Sequence, residues 1–342
     1  MNASVETARG DIAPSLQASA SAGHRDLRIA VIVPTYRRPD DLARCLQAIA
    51  KQLRPAEQVI VVRREGDEVT GAVLSGPGAG SLGLTVVTVA IGGVVAALNA
   101  GLRAVNADVV AFTDDDAAPR PDWLLQIAAR FAADRALGGL GGRDWVHQHG
   151  RLESDSRRVV GRITWIGRCI GHHHLGVGPP REVDALKGVN MSFRVQALDG
   201  VRFDTRLRGT GAQVCNELGV SLAVKRRGWK LVYDPQIAVD HYPSVRHDED
   251  KRNSFCAEAV YNAVFNETLL LCEHLGVCRR CAFIGWALLV GPHSSPGLIQ
   301  WPRLLLTQPQ TAAARFRATW AARIAGWRAA RHPSLSGAKD RA

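Results

Sequence analysis

The sequence has no run of about 18 consecutive apolar residues, the length of a helix that spans a membrane. Its first 26 residues are rich in Ala, Ser and Gly. They lack a basic start followed by an apolar run of about 7–15 residues, so they do not read as a secretory signal. We therefore expect no spanning helix, and we expect a loose leader over residues 1–26.

The sequence also lacks the even set of cysteines typical of a disulfide framework, since its cysteines number seven and are spread over the length of the chain. This usage fits a reducing, cytoplasmic environment. Cys278 and Cys281 form a Cys-x-x-Cys pair with Cys272 and His274 just upstream, which leaves a zinc site open. No second pair follows at the spacing of a zinc finger, so we favour buried or incidental thiols.

Acidic residues are outnumbered by lysine and arginine, which gives a net charge of +11, much of it between Lys225 and the C-terminus. Such a balance favours acidic partners, namely nucleotide diphosphates, anionic lipid or nucleic acid. Charged residues make up only 22% of the chain and hydrophobic residues 46%, a composition that supports a folded core.

Strand and helix patterns alternate from residue 27 onward, which predicts an α/β fold with a mostly parallel, Rossmann-like central sheet flanked by helices. The expected strands are 28–34, 58–63, 84–89 and 109–113, with helices at 39–51, 94–104 and 119–131. From Gly138 the chain is glycine-rich, and the expected elements are short strands at 183–186 and 191–194, a helix at 217–227, strands at 230–233 and 237–239, and a helix at 257–275. Parallel sheets bind ligands at the carboxyl ends of their strands, so the chemistry is sought there.

Three adjacent carboxylates, Asp114, Asp115 and Asp116, end the expected strand at 109–113. They repel one another, so folding alone gives no reason to place them there. A bound Mg²⁺ or Mn²⁺ ion with a diphosphate removes the repulsion, because hard cations take carboxylate and phosphate oxygens. A solvated acidic turn that caps the next helix is the alternative, and we favour the metal.

Two single residues are candidates for catalysis and ligand binding. Glu217 begins a helix after the glycine-rich loop 209–216, where a rigidly held carboxylate suits a general base, although it also complements the helix dipole. His241 follows an apolar strand and is a candidate ligand of a metal or a diphosphate, while a hydrogen-bonded structural histidine is the commoner case. The three histidines at 172–174 are a weaker metal candidate.

Taken in order, these segments resemble glycosyltransferase family 2, an inverting family with the GT-A fold. The opening IAVIVPTYRRPDDLARCLQAI resembles the family's first strand, nucleotide loop and helix, and TDDDAAPRPDWL resembles its Asp-x-Asp metal motif. Counted back from Gly228-Trp229, the family's Glu-Asp pair falls on Asn216-Glu217. The resemblance spans residues 27–245. It implies transfer of a sugar from a nucleotide-diphosphate-sugar donor to a hydroxyl acceptor, with Mg²⁺ or Mn²⁺ as cofactor.

The resemblance also implies a role for each matched residue. Glu217 takes the position of the catalytic base, and Asp116 and His241 take the metal positions. The residues assigned to the donor and its nucleotide are Pro34, Thr35, Tyr36, Arg38, Asp67, Asn99, Asp114 and Asp115. The residues assigned to the acceptor and sugar pocket are Lys187, Asn190, Gly211 and Asn216.

The chain departs from the family pattern after the second strand, where residues 63–67, RREGD, replace the usual paired aspartates. This leaves the nucleobase open, with Glu65 or Asp67 as substitutes. Asn216-Glu217 in place of Glu-Asp is a second departure, although glutamate remains a competent base. A catalytically inactive scaffold is therefore an alternative.

Two further classes compete with this interpretation. A nucleotidyltransferase would need a glycine-rich, basic phosphate loop after the first strand, and PTYRRPDD is not one. A basic nucleic-acid-binding protein would interleave aromatic and basic residues over a compact module, and that pattern occurs only near the C-terminus, so no nucleic acid is expected as a partner.

The expected domains are a leader at 1–26, a GT-A-like domain at 27–245, a helical extension at 246–332 and a tail at 333–342. The apolar stretch at 282–290 is too short to span a membrane. In the acid-free unit at 311–331, one helical face would carry Phe316, Trp320, Ile324 and Trp327, surrounded by Arg315, Arg317, Arg323, Arg328 and Arg331. This pattern is typical of an interfacial helix at an anionic membrane, and the alternative is a helix packed on the domain. Membrane contact predicts a peripheral location at the inner face of the cell membrane and a lipid-linked glycan as acceptor, as in bacterial surface or exopolysaccharide synthesis.

Overall fold

The computed structural model describes residues 27–331, apart from residues 77–79, 81, 149, 246–247 and 252–253. The predicted leader at 1–26 and tail at 333–342 lie outside the described residues. Across the part of the chain that is described, each helix is too short or too polar to cross a membrane.

Apolar, β-branched segments form the strands of the central sheet. β1 carries the sequence IAVIVPT and is buried at six of its seven positions, the pattern of a strand covered on both faces. The strands are β1 (Ile29–Thr35), β2 (Gln58–Arg64), β3 (Thr85–Val89), β4 (Val109–Phe112), β5 (Ala117–Pro119), β6 (Leu137–Gln148), β7 (Arg151–Leu152), β8 (Arg162–Ile163), β9 (Cys169–Ile170), β10 (Arg181–Glu182), β11 (Met191–Arg194) and β12 (Lys230–His241).

Within the described residues, ten strands form one sheet in the order β10-β12-β6-β11-β4-β1-β2-β3, with β5 paired to β12 and β7 to β6. β1 pairs in parallel with β2 and β4, and β12 pairs in parallel with β6. β11 runs antiparallel to both β4 and β6. Because β11 is reversed against both neighbours, β4, β6 and β12 point the same way, and their carboxyl ends meet at one edge of the sheet.

Helices cover both faces of the sheet, and successive residues of β1 alternate between them. Ile32 packs in the apolar cluster that includes Leu98, whereas Val31 and Val33 pack in the cluster that includes Leu42. The helices are α1 (Pro39–Ala50), α2 (Glu68–Leu74), α3 (Val94–Arg103), α4 (Trp123–Ala133), α5 (Asn216–Arg226), α6 (Ala257–His274), α7 (Val277–Leu289), α8 (Gln300–Thr307) and α9 (Pro309–Ala330). This mixed α/β fold with a C-terminal helical region confirms the predicted fold class.

The glycine-rich stretch after Gly138 is a long central strand, so the prediction of only short strands there was wrong. β6 lies between β12 and β11, and its glycines allow the neighbours to come close. A Cβ atom on Gly139 would overlap the side chain of Leu231, and one on Gly142 would overlap the backbone oxygen of Ile237. The glycines here therefore allow β6 and β12 to pack closely and do not indicate a loop.

Three other predicted elements differ from the structure. The two strands expected at 230–233 and 237–239 are one strand, β12, whose register against β6 shifts between Asp234 and Ala238. Residues 183–186 form no strand, since β10 ends before them at Glu182. The helix expected at 119–131 begins at Trp123, because Ala117–Pro119 pairs with β12 as β5.

The last helix, α9, packs along α6, which is the packed alternative considered for it. Its inward positions are small, and Gly326 lies where a Cβ atom would come within 2.8 Å of the Phe265 carbonyl oxygen. Arg323 was predicted to surround the helix with the other arginines, but it is buried, with Nη1 3.2 Å from both Glu267 Oε2 and Thr268 Oγ1. The apolar stretch predicted at 282–290 forms most of α7.

Candidate active site

A cavity of about 660 Å³ opens at the carboxyl edge of the sheet, above the ends of β1, β4 and β12. That size is typical of a small-molecule site, which ranges over about 300–1,000 Å³. One side is lined by the ends of β1, β2 and β3, the middle by the carboxylates after β4, and the far side by β6 and the start of α5.

Asp114, Asp116 and His241 form a group at the middle of the cavity. Each offers one ligand atom, and these atoms lie within 4.8 Å of one another. Two carboxylates and an imidazole suit a divalent cation. The Nε2 atom of His241 lies 3.3 Å from Asp116 Oδ1 but lacks hydrogen-bond geometry, so both buried atoms remain available as ligands. The residues therefore fit the divalent metal that the sequence predicts.

The carboxylates after β4 are not equivalent. Burial would raise the pKa of Asp116, but His241, the Ser244 backbone N–H and Arg38 together lower it to about 2. Burial, with the charge of Asp116, raises the pKa of Asp114. Burial also raises the pKa of Asp115 to about 7, against the opposing effect of Arg38. The ionised form of Asp116 is therefore stabilised, whereas the ionised forms of Asp114 and Asp115 are disfavoured, and a bound cation would stabilise them.

His241 is held between two carboxylates. Its Nε2 faces Asp116, and its Nδ1 lies 3.5 Å from Oδ2 of Asp144 on β6. Burial would lower the pKa of His241, but the two carboxylates outweigh it and raise the pKa to about 9. Without a metal the ring is therefore a cation near neutral pH, and a metal would take the place of its proton.

Asp144 is a residue of this site that the sequence analysis missed. Its side chain is fully buried, and Lys187 forms an ion pair with its Oδ2. Lys187 and His241 keep the pKa of Asp144 low despite burial. The carboxylate therefore orients His241 from behind, as second partners of metal-binding histidines do.

Two backbone contacts tie the loop after β12 to the carboxylates. The Ser244 N–H donates to Asp116 Oδ2 at 3.0 Å, and the Tyr242 N–H donates to the Asp116 carbonyl at 2.8 Å. Arg38 closes the same corner, donating from Nη1 to Asp115 at 2.9 Å and from Nη2 to the Val245 carbonyl at 2.9 Å. Arg38 thus lines the cavity with its guanidinium already engaged by protein groups.

The side of the cavity over β1–β3 is aromatic and cationic. It is lined by Pro34, Thr35 and Tyr36, three of the residues assigned to the donor, together with Arg64 at the end of β2. The Tyr36 ring lies 5.2 Å from the guanidinium of Arg37 and 5.4 Å from that of Arg64. Arg64 was not among the predicted site residues, although it stands in the segment that departs from the family pattern.

The opposite side carries Glu217, in the first turn of α5 and lining the cavity. The preceding loop is fixed to α3, because the Val94 N–H donates to the Gly211 carbonyl at 2.8 Å. The buried Asn216 amide donates to the carbonyls of Gln213 and Ala212, at 3.2 and 3.4 Å. The carboxylate of Glu217 is thus mounted on a rigid helix start. Lys187, Gly211 and Asn216 line the same cavity.

A family model described as glycosyl transferase family 2 matches residues 30–203. The chain belongs to glycosyl transferase family 2. Among solved structures, GalNAc-T7 with UDP, GalNAc and Mn²⁺ aligns with a TM-score of 0.60 at 12% identity, over 78% of this chain and 51% of that one. Residues 1–349 of TarS from S. aureus, in complex with UDP-GlcNAc, align with a TM-score of 0.57 at 16% identity, over 88% and 90% of the two chains.

These similarities support a GT-A fold for this family 2 member and say nothing of its own ligands. The chain spans about half the length of GalNAc-T7. No curated protein sequence matches the chain significantly. His241 lies beyond the matched residues 30–203, so only the fold brings it to Asp116.

Three residues predicted to bind donor or acceptor do not line the cavity of this family 2 fold. Asn99 exchanges two hydrogen bonds with the Phe203 backbone, at 2.8 and 3.0 Å. Asn190 accepts from the Trp123 indole at 2.9 Å and donates to the carbonyls of Ile237 and Arg143. Both side chains are buried. Asn99 joins α3 to the loop at Phe203, and Asn190 joins α4 to β6 and β12.

Asp67 is the third. Its Oδ2 accepts from the Arg37 N–H at 2.8 Å and from the Thr70 hydroxyl at 2.6 Å, and its Oδ1 accepts from the Thr70 N–H at 3.3 Å. It caps α2 and fixes the loop after β1, where Arg37 has a φ of 55°. The structure therefore gives Asp67 a positioning role, whereas Tyr36 and Arg64 line the cavity.

The weaker metal candidates separate in the structure. His173 is buried against the Ala185 carbonyl, and burial lowers its pKa to about 4. His174 lines the cavity, with Nε2 3.3 Å from Glu153. Across the described residues, no second group of three or more His, Cys, Asp or Glu side chains comes close enough to share a metal, and the cysteines and histidine at 272–281 form no such group there.

Proposed function

We propose that this chain transfers a sugar from a nucleotide-diphosphate-sugar to a hydroxyl of a glycan, in a single displacement that inverts the anomeric centre. The observation that carries the proposal is one cavity lined both by the Asp114–Asp116–His241 group and by Glu217. The similar folds were solved with UDP and Mn²⁺ or with UDP-GlcNAc, which supports a nucleotide-sugar as the donor class.

The donor diphosphate lies at the Asp114–Asp116–His241 group. A bound divalent cation would neutralise the charge of the departing diphosphate. Asp116, whose pKa is lowered to about 2, would offer an ionised oxygen to that cation, and His241 would offer a ring nitrogen once its proton is lost. Asp144 and Lys187 hold the ring in place from the other side.

The nucleoside lies over the ends of β1, β2 and β3. Neighbouring strands are about 4.8 Å apart, so β2 and β3 are about 10–14 Å from β4, which suits the span from a diphosphate to its base. Tyr36 offers a ring for stacking, and Arg64 offers donors to acceptor atoms of the base. Both are side chains of the described cavity wall.

Glu217 acts as the general base. It takes the proton of the acceptor hydroxyl while that oxygen bonds to the anomeric carbon, and the bond from this carbon to the diphosphate breaks with its electron pair leaving on the diphosphate. Base catalysis of this kind contributes about 10²–10⁴ in rate. The carboxylate of Glu217 lies on the side of the cavity away from the diphosphate, which fits one displacement with inversion.

The acceptor is a glycan or a lipid-linked glycan, as in bacterial surface or exopolysaccharide synthesis, and the chain acts at the inner face of the cell membrane. The division of labour follows the predicted domains, with residues 27–245 carrying the site and 246–332 carrying the membrane contact. Residues of α6, α7 and α9 share an apolar cluster with the sheet, so such a contact would be rigidly coupled to the site.

A transfer assay tests this function. Wild type is incubated with a panel of nucleotide-sugars, Mn²⁺ and a cell-wall or lipid-linked glycan fraction, and release of nucleotide diphosphate is measured. We expect release with one donor that stops when the metal is chelated. An absence of both nucleotide binding and release would instead assign the chain to the inactive-scaffold alternative.

A further inference from the structure

The last three helices, α7, α8 and α9, carry arginine without any acidic residue. Residues 274–331 contain eight arginines and neither aspartate nor glutamate. On α9 the arginines divide by depth, since Arg323 is buried beside Glu267 whereas Arg317, Arg328 and Arg331 are exposed. The exposed ones recur with Ile324 at helical spacing, and they form one basic row along the helix.

Next to α9, a short apolar surface is exposed around α8. Ile299 and Leu306 are 66% and 86% exposed, and Arg303 between them shares their helix face. The segment entering α8 is fixed to the end of α7, because the Ile299 N–H donates to the Leu289 carbonyl at 2.8 Å. The exposed large apolar residues of this surface are Leu289, Leu298, Ile299, Leu305 and Leu306.

Three half-buried aromatic residues join the two surfaces. Trp301 on α8 lies 4.4 Å from Phe316 on α9, and Phe316 lies 5.5 Å from Trp320, between ring centroids. Leu305 is the helical neighbour of Trp301, and Leu298 lies in the turn just before α8. Arg317 and Ile324 are the helical neighbours of Trp320. The apolar surface, the aromatic seam and the basic row are therefore continuous.

We infer that this continuous surface docks the protein on an anionic lipid membrane, with the α8 leucines in the acyl boundary and the α9 arginines on the headgroups. Exposed leucines insert into the interface, tryptophans are enriched at that level, and arginines bind anionic headgroups. The inference identifies the membrane contact of the proposed function. It also moves the apolar part of that contact from α9, where the sequence places it, to α8.

Charge and shape together favour a lipid surface over a second copy of this chain. The surface is acid-free, so two copies would bring arginine against arginine. A short helix with protruding leucines beside a basic row suits an interfacial plane, which accepts apolar and cationic groups at neighbouring depths.

Vesicle flotation with the full chain tests the inference. We expect the protein to float with vesicles of phosphatidylcholine containing phosphatidylglycerol, and not with phosphatidylcholine alone. Each arginine near an anionic leaflet contributes about fivefold in affinity, so Arg317→Gln with Arg328→Gln should weaken binding roughly 30-fold. Leu305→Gln with Leu306→Gln should weaken binding at least tenfold, because these substitutions remove two leucine side chains whose burial in the membrane interface favours binding.

Matched controls carry the same chemistry elsewhere on the surface. Leu53→Gln with Leu125→Gln removes two leucines that are 70% and 45% exposed, and Arg158→Gln removes one exposed arginine. All variants should keep the wild-type melting temperature, and the controls should float like wild type. Glu217→Gln should also float normally, so loss of transfer and loss of docking are separable.

Equal flotation of the leucine variant and wild type would overturn the inference, as would failure of wild type to float with anionic vesicles. A dimer in size-exclusion chromatography that the leucine variant dissociates would assign the surface to self-association and would likewise overturn it.

Discussion

His241 Nε2 lies 3.3 Å from Asp116 Oδ1, although His241 lies outside the segment that the family model matches. The contact joins the end of β12 to the turn after β4, and β5 reinforces it by pairing with β12 beside that turn. Because β4, β6 and β12 run parallel, their carboxyl ends lie at one edge of the sheet, and this brings His241 next to Asp116. The same directions bring Asp144 to the other nitrogen of His241.

Metal binding should depend on each member of the Asp114–Asp116–His241 group. Asp116→Asn and His241→Gln should weaken Mn²⁺ binding by more than about 100-fold, since even outer partners of metal ligands contribute about 10–100-fold. Calorimetric titration of Mn²⁺ in the presence of nucleotide diphosphate measures this. Glu153→Gln, at the cavity rim near His174, is the matched control and should bind like wild type.

Metal affinity should rise with pH. Because the pKa of His241 is raised to about 9, the metal must displace its proton below that pH, so the apparent affinity should rise about tenfold per pH unit up to about pH 9 and then level off. In the metal-free protein, the contribution of His241 to folding stability changes with pH in the opposite direction. The stabilising contact of the His241 cation is complete below about pH 6.5 and is lost as the pH rises through about 9. A pH-independent affinity from pH 7 to 9 would contradict the account.

Glu217→Gln should lower kcat by about 10²–10⁴ and leave Mn²⁺-dependent donor binding intact, because the amide cannot accept the hydroxyl proton. Steady-state kinetics and a donor titration on the same variant separate the two effects. Substantial turnover by Glu217→Gln would remove this residue from the base position.

Arg64 should contribute to the nucleoside side of the cavity. Arg64→Met removes the charged donors beside Tyr36, and we expect nucleotide diphosphate binding to weaken about tenfold, with an altered preference among bases. Arg63→Met is the matched control, since Arg63 precedes it on β2 and does not line the cavity. Equal effects of the two substitutions would count against a specific contact from Arg64.

Asn190 should be needed for stability and not for catalysis. Asn190→Ala leaves the Trp123 indole and two buried carbonyls without partners, which should cost about 1–3 kcal/mol of unfolding free energy. Urea denaturation measures the loss, and the exposed Asn106→Ala is the control. A raised donor KM with unchanged stability would restore the ligand role that the sequence implies for Asn190.

The sequence predicts the parts of the fold that rest on local patterns. β1, β2, α1, α3 and α6 begin and end within two residues of their predicted bounds, because apolar periodicity and helix ends mark them. β6 was not predicted, because its glycines are needed for close contact with Leu231 and Ile237, and these two residues belong to β12, far along the chain. If β6 is recognised as a buried strand, a carboxylate within it, Asp144, indicates a polar site, because a buried charge needs a partner.

In the site, too, local sequence patterns predict some residues, and packing between distant segments decides the others. Asp114, Asp116 and Glu217 were predicted from strand ends and helix starts, and the structure brings them to one cavity. Asp67 also stands at a helix start and Asn99 lies within α3, but their side chains are hydrogen-bonded to Arg37, Thr70 and Phe203. Such partners are set by loop packing, which no local pattern records.

The most direct test of the metal-dependent donor site is a thermal-shift screen of nucleotide diphosphates and nucleotide-sugars, with and without Mn²⁺, on wild type and Asp116→Ala. At about 100 times Kd a ligand stabilises the fold by about 2.7 kcal/mol, which is a clear shift. The account predicts a rise for one nucleotide class that needs Mn²⁺ and disappears in Asp116→Ala. A rise that persists without Mn²⁺ and in Asp116→Ala, or no rise with any nucleotide, would contradict it.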